Sequence, residues 1–180
     1  IMPAIFQNFT STANPALAAP RIASLRALFG AHGIDGFLVP RSDEHQGEYV
    51  AKGSERLAWL TGFTGSAGVA LVLKSNAFVF VDGRYTVQAA QQLDPETFST
   101  EDLVANPPAK WIKDSLPKGV RIGFDPWLHT ISEAAVLQKS LAQQQAVALV
   151  GGFSAQGFQV ELHSAARRAQ FLFGAGRQQA

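Results

Sequence analysis

The chain predicts an α/β fold, a mixed β-sheet flanked by helices, and three observations carry that prediction. Residues 67–73 and 77–81 are apolar and rich in strand formers, and only Lys74-Ser75-Asn76 joins them. That connection is short enough for an antiparallel hairpin and too short for a crossover helix. Helical spacing from Pro20 to Gly33 runs straight into the strand-like residues 34–39, the helix, glycine turn, strand order of a layered α/β fold. The same order returns over 107–124 and 130–150. A purely parallel sheet does not accommodate the hairpin, so a mixed sheet is expected.

Taken in order, residues 1–19 lack periodicity and read as an extended lead-in. Pro20 suits a first helical turn, Ile22, Leu25, Leu28 and Phe29 recur on one face, and Gly33 ends the helix. Ile34 to Val39 is a strand stopped at Pro40. Residues 40–53 are polar, with a helical turn expected at Glu44 to Val50, and Ser54 is placed to cap a short helix over 55–60. Gly62, Gly65 and Gly68 then break the pattern, which implies a sharp turn or a close backbone approach. After the hairpin, Asp82-Gly83 bends the chain into a helix from Arg84 to Leu93. A weaker strand is expected at 97–100. Pro107-Pro108 opens a helix with Trp111, Ile112 and Leu116 on one face, and 120–124 is a strand. Thr130 or Ser132 caps a helix to Leu141, and 147–150 is the last strand. From Gly151 the character changes to an atypical, poorly specified tail over 151–180, with a short helix expected near 164–172.

Composition narrows the function classes. The 180 residues are 47% hydrophobic with thirteen Phe and three Trp, enough for one domain with a core of its own. Charged residues make up 16%, below the usual level of about 25%. Net charge is +1, which gives no basic patch and argues against nucleic acid. No apolar run reaches the length of a membrane span, and the first residues lack the basic and apolar segments of a signal peptide. The absence of cysteine removes thiolate chemistry and sulfur-ligated metals and fits a reducing compartment.

The chemical motifs are sparse. His32, His45, His129 and His163 fall at no zinc-binding spacing, and His32 reads as a surface residue compatible with a helix end. Asp43, Glu44, His45 and Glu48 form the only compact polar group. Ser66 fails as a hydrolase nucleophile, because residue 64 is Thr and a strand follows the serine rather than preceding it. The glycine run also lacks the Gly-Lys-Ser/Thr ending of a phosphate loop. It is either a structural turn or a backbone surface that binds a partner or ligand. Asp82-Gly83-Arg84-Tyr85 also has two readings: Asp82 caps a helix while Arg84 bridges a carboxylate such as Asp82 or Glu55, or Arg84 offers its fork to an external carboxylate.

Three blocks in fixed order carry a resemblance: Ser42-Asp43-x-His45-x-x-Glu48-Tyr49, Arg56-Leu57-x-Trp59 through Gly68, and Asp82-Gly83-Arg84-Tyr85. Together they resemble the N-terminal domain of Xaa-Pro aminopeptidase (aminopeptidase P), of the creatinase/prolidase N-terminal type. The resemblance covers residues 20–150 and takes in Trp111 and the 120–126 strand end. It implies a metallopeptidase family that cleaves peptides with proline at the second position, using two metal ions, usually manganese. The ligands belong to a C-terminal pita-bread domain, so no catalytic, cofactor-binding or metal-binding residue is assigned in this chain. What the resemblance implies here is a non-catalytic accessory domain that serves oligomerisation and shapes the active-site mouth. Its expected partners are its own catalytic domain and copies of itself in a homo-oligomer, in a cytoplasmic setting. The matched positions placed at a cleft or interface are Asp43, His45, Phe63, Arg84 and Tyr85, with Arg84 pairing charge and His45 nearest peptide. Relatives continue differently after the last strand, so the family's frame or domain boundary is expected to be lost near residue 150, as in a truncated or frame-shifted product. A stand-alone protein-interaction module built on the glycine loop and the Asp-Gly-Arg-Tyr corner is the alternative.

Overall fold

The computed structural model describes residues 14–141 and, as backbone alone, the strands at 145–148, 152–154 and 157–159. Five helices are described, α1 (Ala18–His32), α2 (Arg56–Thr61), α3 (Thr86–Gln92), α4 (Pro108–Ser115) and α5 (Ile131–Ser140). The strands are β1 (Gly36–Pro40), β2 (Gly68–Leu73), β3 (Ala77–Val81), β4 (Ser99–Asp102), β5 (Arg121–Phe124), β6 (Gln145–Ala148), β7 (Gly152–Ser154) and β8 (Gly157–Gln159).

The first six strands form one mixed sheet in the order β4-β3-β2-β1-β5-β6. β2 is antiparallel to both β1 and β3, whereas the β3–β4, β1–β5 and β5–β6 pairs are parallel. It follows that β2 alone runs against the other five. The carboxyl ends of β1, β3, β4, β5 and β6 therefore share one end of the sheet with the glycine loop that feeds β2. We refer to this as the loop end. The turns at Gly33 to Asp35, Lys74 to Asn76, and residues 93–98 and 116–120 lie at the opposite, turn end.

Each face of the sheet has its own apolar core. One buries Ile22, Leu25 and Phe29 of α1 with Leu57, Leu60, Phe63 and Ala89 against Val39, Val72 and Val79. The other packs Ile112, Ala134, Leu137 and Leu141 on Leu38, Leu71, Phe80, Ile122 and Phe124. Alternate residues of β1 and β2 thus feed different layers, as the two-residue period of a strand requires. The 3-10 turn Pro15–Leu17 precedes α1, so helical structure begins ahead of the expected start at Pro20. Gly33 closes α1 in the left-handed conformation, φ 59°, where glycine carries no Cβ penalty.

Several expectations are corrected. No helical turn forms over 44–50; a 3-10 turn forms at Lys52–Ser54 instead. Asp43 Oδ1 accepts from the His45 and Gly47 N–H groups, and Gln46 takes φ 55°, a side-chain-to-backbone turn that competes with helix. Ser54 does not cap α2: the cap position is Glu55, with no side-chain cap bond, because Ser54 closes the preceding turn through Ser54 N–H to Ala51 O at 2.7 Å. The strand expected at 97–100 lies at 99–102, since Asp94 O accepts from both the Thr97 and Phe98 N–H groups and keeps residues 94–98 in a turn. β2 starts at Gly68, not Ala67, and β6 starts at Gln145, two residues ahead of the expected start at 147, while residues 149–150 of the expected strand lie outside the described residues. The tail contains an antiparallel β7–β8 pair that the sequence reading did not foresee. Its expected helix at 164–172 lies outside the described residues.

Candidate functional site

The loop end holds the Asp43 to Tyr49 turn, the glycine loop and the Asp82 to Tyr85 corner. After β3, Asp82 caps the 3-10 turn Gly83–Tyr85: its Oδ1 accepts the Arg84 N–H at 3.0 Å and the Arg84 Nε–H at 2.9 Å. The Arg84 guanidinium thereby holds the Asp82 carboxyl below its ordinary range, helped by the Arg84 backbone N–H, and the same pairing raises Arg84. Arg84 remains 73% exposed along its side chain, and its guanidinium carbon lies 5.5 Å from the Tyr85 ring centre. The Tyr85 hydroxyl shares a short hydrogen bond with Ser66 Oγ, which ties the corner to the glycine loop.

That loop is held from beneath. The Phe63 ring meets Tyr85 edge-on at 6.0 Å, and a Cβ on Gly65 would fall 2.2 Å from Phe63 Cζ, so only glycine lets the backbone cross that ring. Gly62 takes φ 86°. Gln92, buried at the end of α3, accepts the Thr64 N–H at 2.9 Å through Oε1 and donates Nε2–H to Thr64 Oγ1 at 2.9 Å. Gln88 adds a bond from Nε2–H to Thr64 Oγ1 at 3.1 Å.

Asp43 and His45 sit in a separate turn after β1. Asp43 is buried, and the Gly47 and His45 N–H groups it accepts lower its pKa. His45 is exposed. Among the described residues no hydrogen bond or ion pair joins this turn to Arg84 or Tyr85. Phe63, grouped with the cleft candidates, is 1% exposed and belongs to the core as the support of Gly65 and Tyr85. The structure therefore unites Phe63, Arg84 and Tyr85, adds Ser66, and sets Asp43 and His45 apart.

Two features escaped the sequence reading. One is the Gln92 bracket, whose signal is the Gln88/Gln92 spacing of one helical turn. The other is Asp125, 2% exposed at the end of β5. Burial raises its pKa against the Trp127 N–H it accepts and the nearby charges of Arg56 and His129, while Glu44 adds to the rise. Arg56 and Glu44 lie 3.9 Å apart. Ser42 Oγ–H donates to Leu128 O at 2.7 Å, which joins the two connections.

The apolar surface is distributed as unevenly as the motifs. Among the described residues the exposed large apolar side chains are Leu17, Tyr49, Val87, Val104, Trp127, Ile131 and Val136. Six follow the carboxyl ends of β1, β3, β4 and β5. Leu17 precedes α1, whose start returns to this end, where Gly62 lies beside Pro15. None lies at the turn end.

Comparison with known proteins matches the family described as creatinase/prolidase N-terminal domain to residues 21–153. The chain belongs to the creatinase/prolidase N-terminal domain family. It is 38% identical over 111 residues to Xaa-Pro aminopeptidase 2 of Rattus norvegicus, covering 62% of this chain and 16% of the rat enzyme. Among solved structures, X-prolyl aminopeptidase of Caenorhabditis elegans, described as a cytosolic enzyme with a di-nuclear active site, superposes with TM-score 0.68 at 31% identity. That match covers 75% of this chain and 24% of the enzyme. The N-terminal domain of the cytoplasmic peptidase PepQ from Mycobacterium tuberculosis superposes with TM-score 0.56 at 26% identity, covering 73% of this chain and 93% of that domain. The chain thus spans about a fifth of the length of full-length relatives, 16% of the rat enzyme and 24% of the nematode one, and the part it matches is the N-terminal domain. A di-nuclear metal centre does not fit the described residues, among which no group of three or more His, Asp or Glu could hold an ion. No helix among them is long and apolar enough to cross a membrane.

Proposed function

We propose that this domain is the non-catalytic N-terminal part of an Xaa-Pro aminopeptidase-like metallopeptidase, and that its loop end covers and shapes the mouth of a catalytic cleft built elsewhere. The observation that supports this most is the gathering of the exposed apolar side chains, Arg84 and Tyr85 at one end of the sheet. An apolar surface rimmed by charged groups is the ordinary mark of a face made to be covered. The reading extends to a peptide substrate with proline in second position, cleavage at two manganese ions held by the other domain, a homo-oligomer, and a cytoplasmic location. Within it, residues 20–150 form the domain proper, 1–19 lead into it and 151–180 lie beyond it. Arg84 and Tyr85 would meet the partner surface, His45 would stand nearer peptide, and Asp43 would hold the turn that presents His45.

Two measurements test the proposal. The purified chain, supplied with manganese, should not cleave an Ala-Pro peptide, and turnover abolished by a chelator would overturn the non-catalytic reading. Titrating the chain with an Xaa-Pro aminopeptidase catalytic domain should shift amide resonances at Ser66, Arg84 and Tyr85. Shifts confined to the Lys74 to Asn76 end would refute the placement of the interface.

A further inference from the structure

Among the described residues two carboxylates are buried, Asp43 and Asp125, and the fold treats them differently. Asp43 Oδ1 accepts the His45 and Gly47 N–H groups, which favour its charged form. Asp125, 2% exposed at the end of β5, accepts a single N–H, that of Trp127 at 2.9 Å. One such bond does not offset the desolvation of a buried charge, and burial dominates at Asp125.

Asp125 also holds the connection that follows it. Its carbonyl accepts the Leu128 N–H at 3.1 Å and meets His129 Nδ1 at 2.9 Å. Leu128 O in turn accepts Ser42 Oγ–H from the connection after β1. Trp127, inside this turn, is 49% exposed. The charged groups acting on the carboxylate come from three places: Arg56 of α2 and His129 of its own turn favour its charge, and Glu44 after β1 opposes it. Arg56 is Glu44's partner as well, at 3.9 Å, with side-chain exposures of 12% and 41%. That pair is longer than a hydrogen bond and has room to tighten. A nearly buried guanidinium thus serves two carboxylates, one open to water and one closed to it.

We propose that Asp125, Arg56 and Glu44 form a proton-operated switch at the loop end. With Asp125 charged, Arg56 is shared between the two carboxylates and the turn carrying Trp127 is held firmly. With Asp125 protonated, Arg56 passes to Glu44 and that turn slackens. The two states differ most in the bond to Trp127, because a charged acceptor makes a stronger hydrogen bond than a neutral one. The proton therefore weakens the hold on the Trp127 N–H at the same time as it ends the competition for Arg56. Since Trp127 is half exposed, the slackening alters the apolar surface that the loop end presents.

The switch belongs to the free chain, so its test stands apart from what covers the loop end. Amide exchange at Trp127 and the carboxyl resonance of Asp125 are followed by NMR from acid to neutral pH, with exchange rates corrected for their intrinsic pH dependence. Protection at Trp127 should fall about fivefold on acidification, the difference between a hydrogen bond to a charged group and an ordinary one. The midpoint should coincide with that of the Asp125 resonance and lie above the ordinary carboxyl value of about 4. Asp125→Asn should show the low protection at every pH. Glu44→Gln, at a partly exposed position, should keep the step and move its midpoint down, since a charge that opposes ionisation of Asp125 is gone and Arg56 serves Asp125 alone. A step that survives Asp125→Asn would belong to a histidine and would overturn the switch. The absence of any step in the unaltered chain, or a midpoint that Glu44→Gln leaves in place, would overturn it equally. The measurement on the unaltered chain does not depend on any variant folding.

Discussion

The two ends of the sheet are built from the same strands and solve opposite problems. At the turn end the connections are short, and Asp35 ties three of them together. Asp35 Oδ2 accepts the Arg121 N–H at 2.9 Å, its N–H donates to Arg121 O at 2.8 Å, and its other carboxylate oxygen pairs with Lys74. Arg26 Nε–H donates to Leu73 O at 2.7 Å and pins α1 to the hairpin. At the loop end the connections are longer, a buried Asp125 sits with its pKa raised, and seven large apolar side chains face outward. The turn end closes the fold, and the loop end leaves surface unspent for something else to cover.

Substitutions at Phe63 should give the largest effect, because there the loop end depends on the core. Phe63→Ala removes a ring that is 1% exposed and should cost about 3–5 kcal/mol in urea denaturation, as for other buried aromatic truncations. It should also free the Ser66–Tyr85 contact, seen as loss of amide exchange protection over 62–68. A cost below about 1 kcal/mol would show that the glycine loop stands without the ring. Gln92→Leu should come next, at about 1–2 kcal/mol, because Thr64 loses its acceptor. Its exchange effects should stay between Gly62 and Ser66 and leave the turn end untouched.

The legible part of this molecule was the part that local chemistry decides. β3 is found where its apolar, strand-forming run and the three-residue turn put it, α1 stops at its glycine, and Thr130 caps α5 in a full capping box. Boundaries that moved were set by groups acting across a turn, the Asp43 carboxylate in one case and the Asp94 backbone carbonyl in another. Asp43 and Asp94 draw nearby backbone N–H groups away from helix and strand, and a pattern of apolar spacing does not register them. The apolar strand running into Asp82-Gly83 put Arg84 and Tyr85 at a strand end, where the structure has them after β3. Phe63 was misplaced because an aromatic residue between glycines looks the same in sequence whether it lines a cleft or fills the space beneath one. Asp125 was read as a strand terminator, since burial belongs to the fold and not to the dipeptide Asp-Pro.

Asp35 at the turn end and the buried Asp125 at the loop end should respond to pH in opposite directions. Asp35 is lowered, chiefly by its Lys74 bond and the Arg121 N–H. Its stabilisation is complete above the unfolded carboxyl value of about 4 and is lost as pH falls through the lower folded value. Asp125 is raised by burial, so the protonated form favours folding below about 4, and that contribution is lost as pH rises through the higher folded value. Urea midpoints measured across acid to neutral pH should separate them. Asp35→Asn should lose about 1 kcal/mol or less near neutrality, given the exposure of the Lys74 pair, and should flatten the acid limb. Asp125→Asn should gain stability near neutrality relative to the parent chain. If both variants lose stability at neutral pH, Arg56 and His129 compensate the buried charge fully and the contrast between the two ends fails there.

The smallest effect on stability should accompany the most specific effect on recognition. Arg84 is 73% exposed, and the cap it belongs to survives without its side chain, because the bond from the Arg84 backbone N–H to Asp82 Oδ1 remains. Arg84→Gln should therefore leave the urea midpoint unmoved. Lys74→Gln, at the turn end, removes an ion pair with Asp35 that is also partly exposed, and its midpoint shift should likewise be slight. The two variants should part only when the chain is titrated with the catalytic domain of an Xaa-Pro aminopeptidase. Arg84→Gln should weaken that association about tenfold, as expected for a charged group that meets a partner carboxylate, whereas Lys74→Gln should bind like the parent. Equal losses from both would mean that long-range charge governs association, with no contact specific to the loop end. Raising the salt concentration distinguishes these cases, since a desolvated Arg84 contact persists where screened attraction fades.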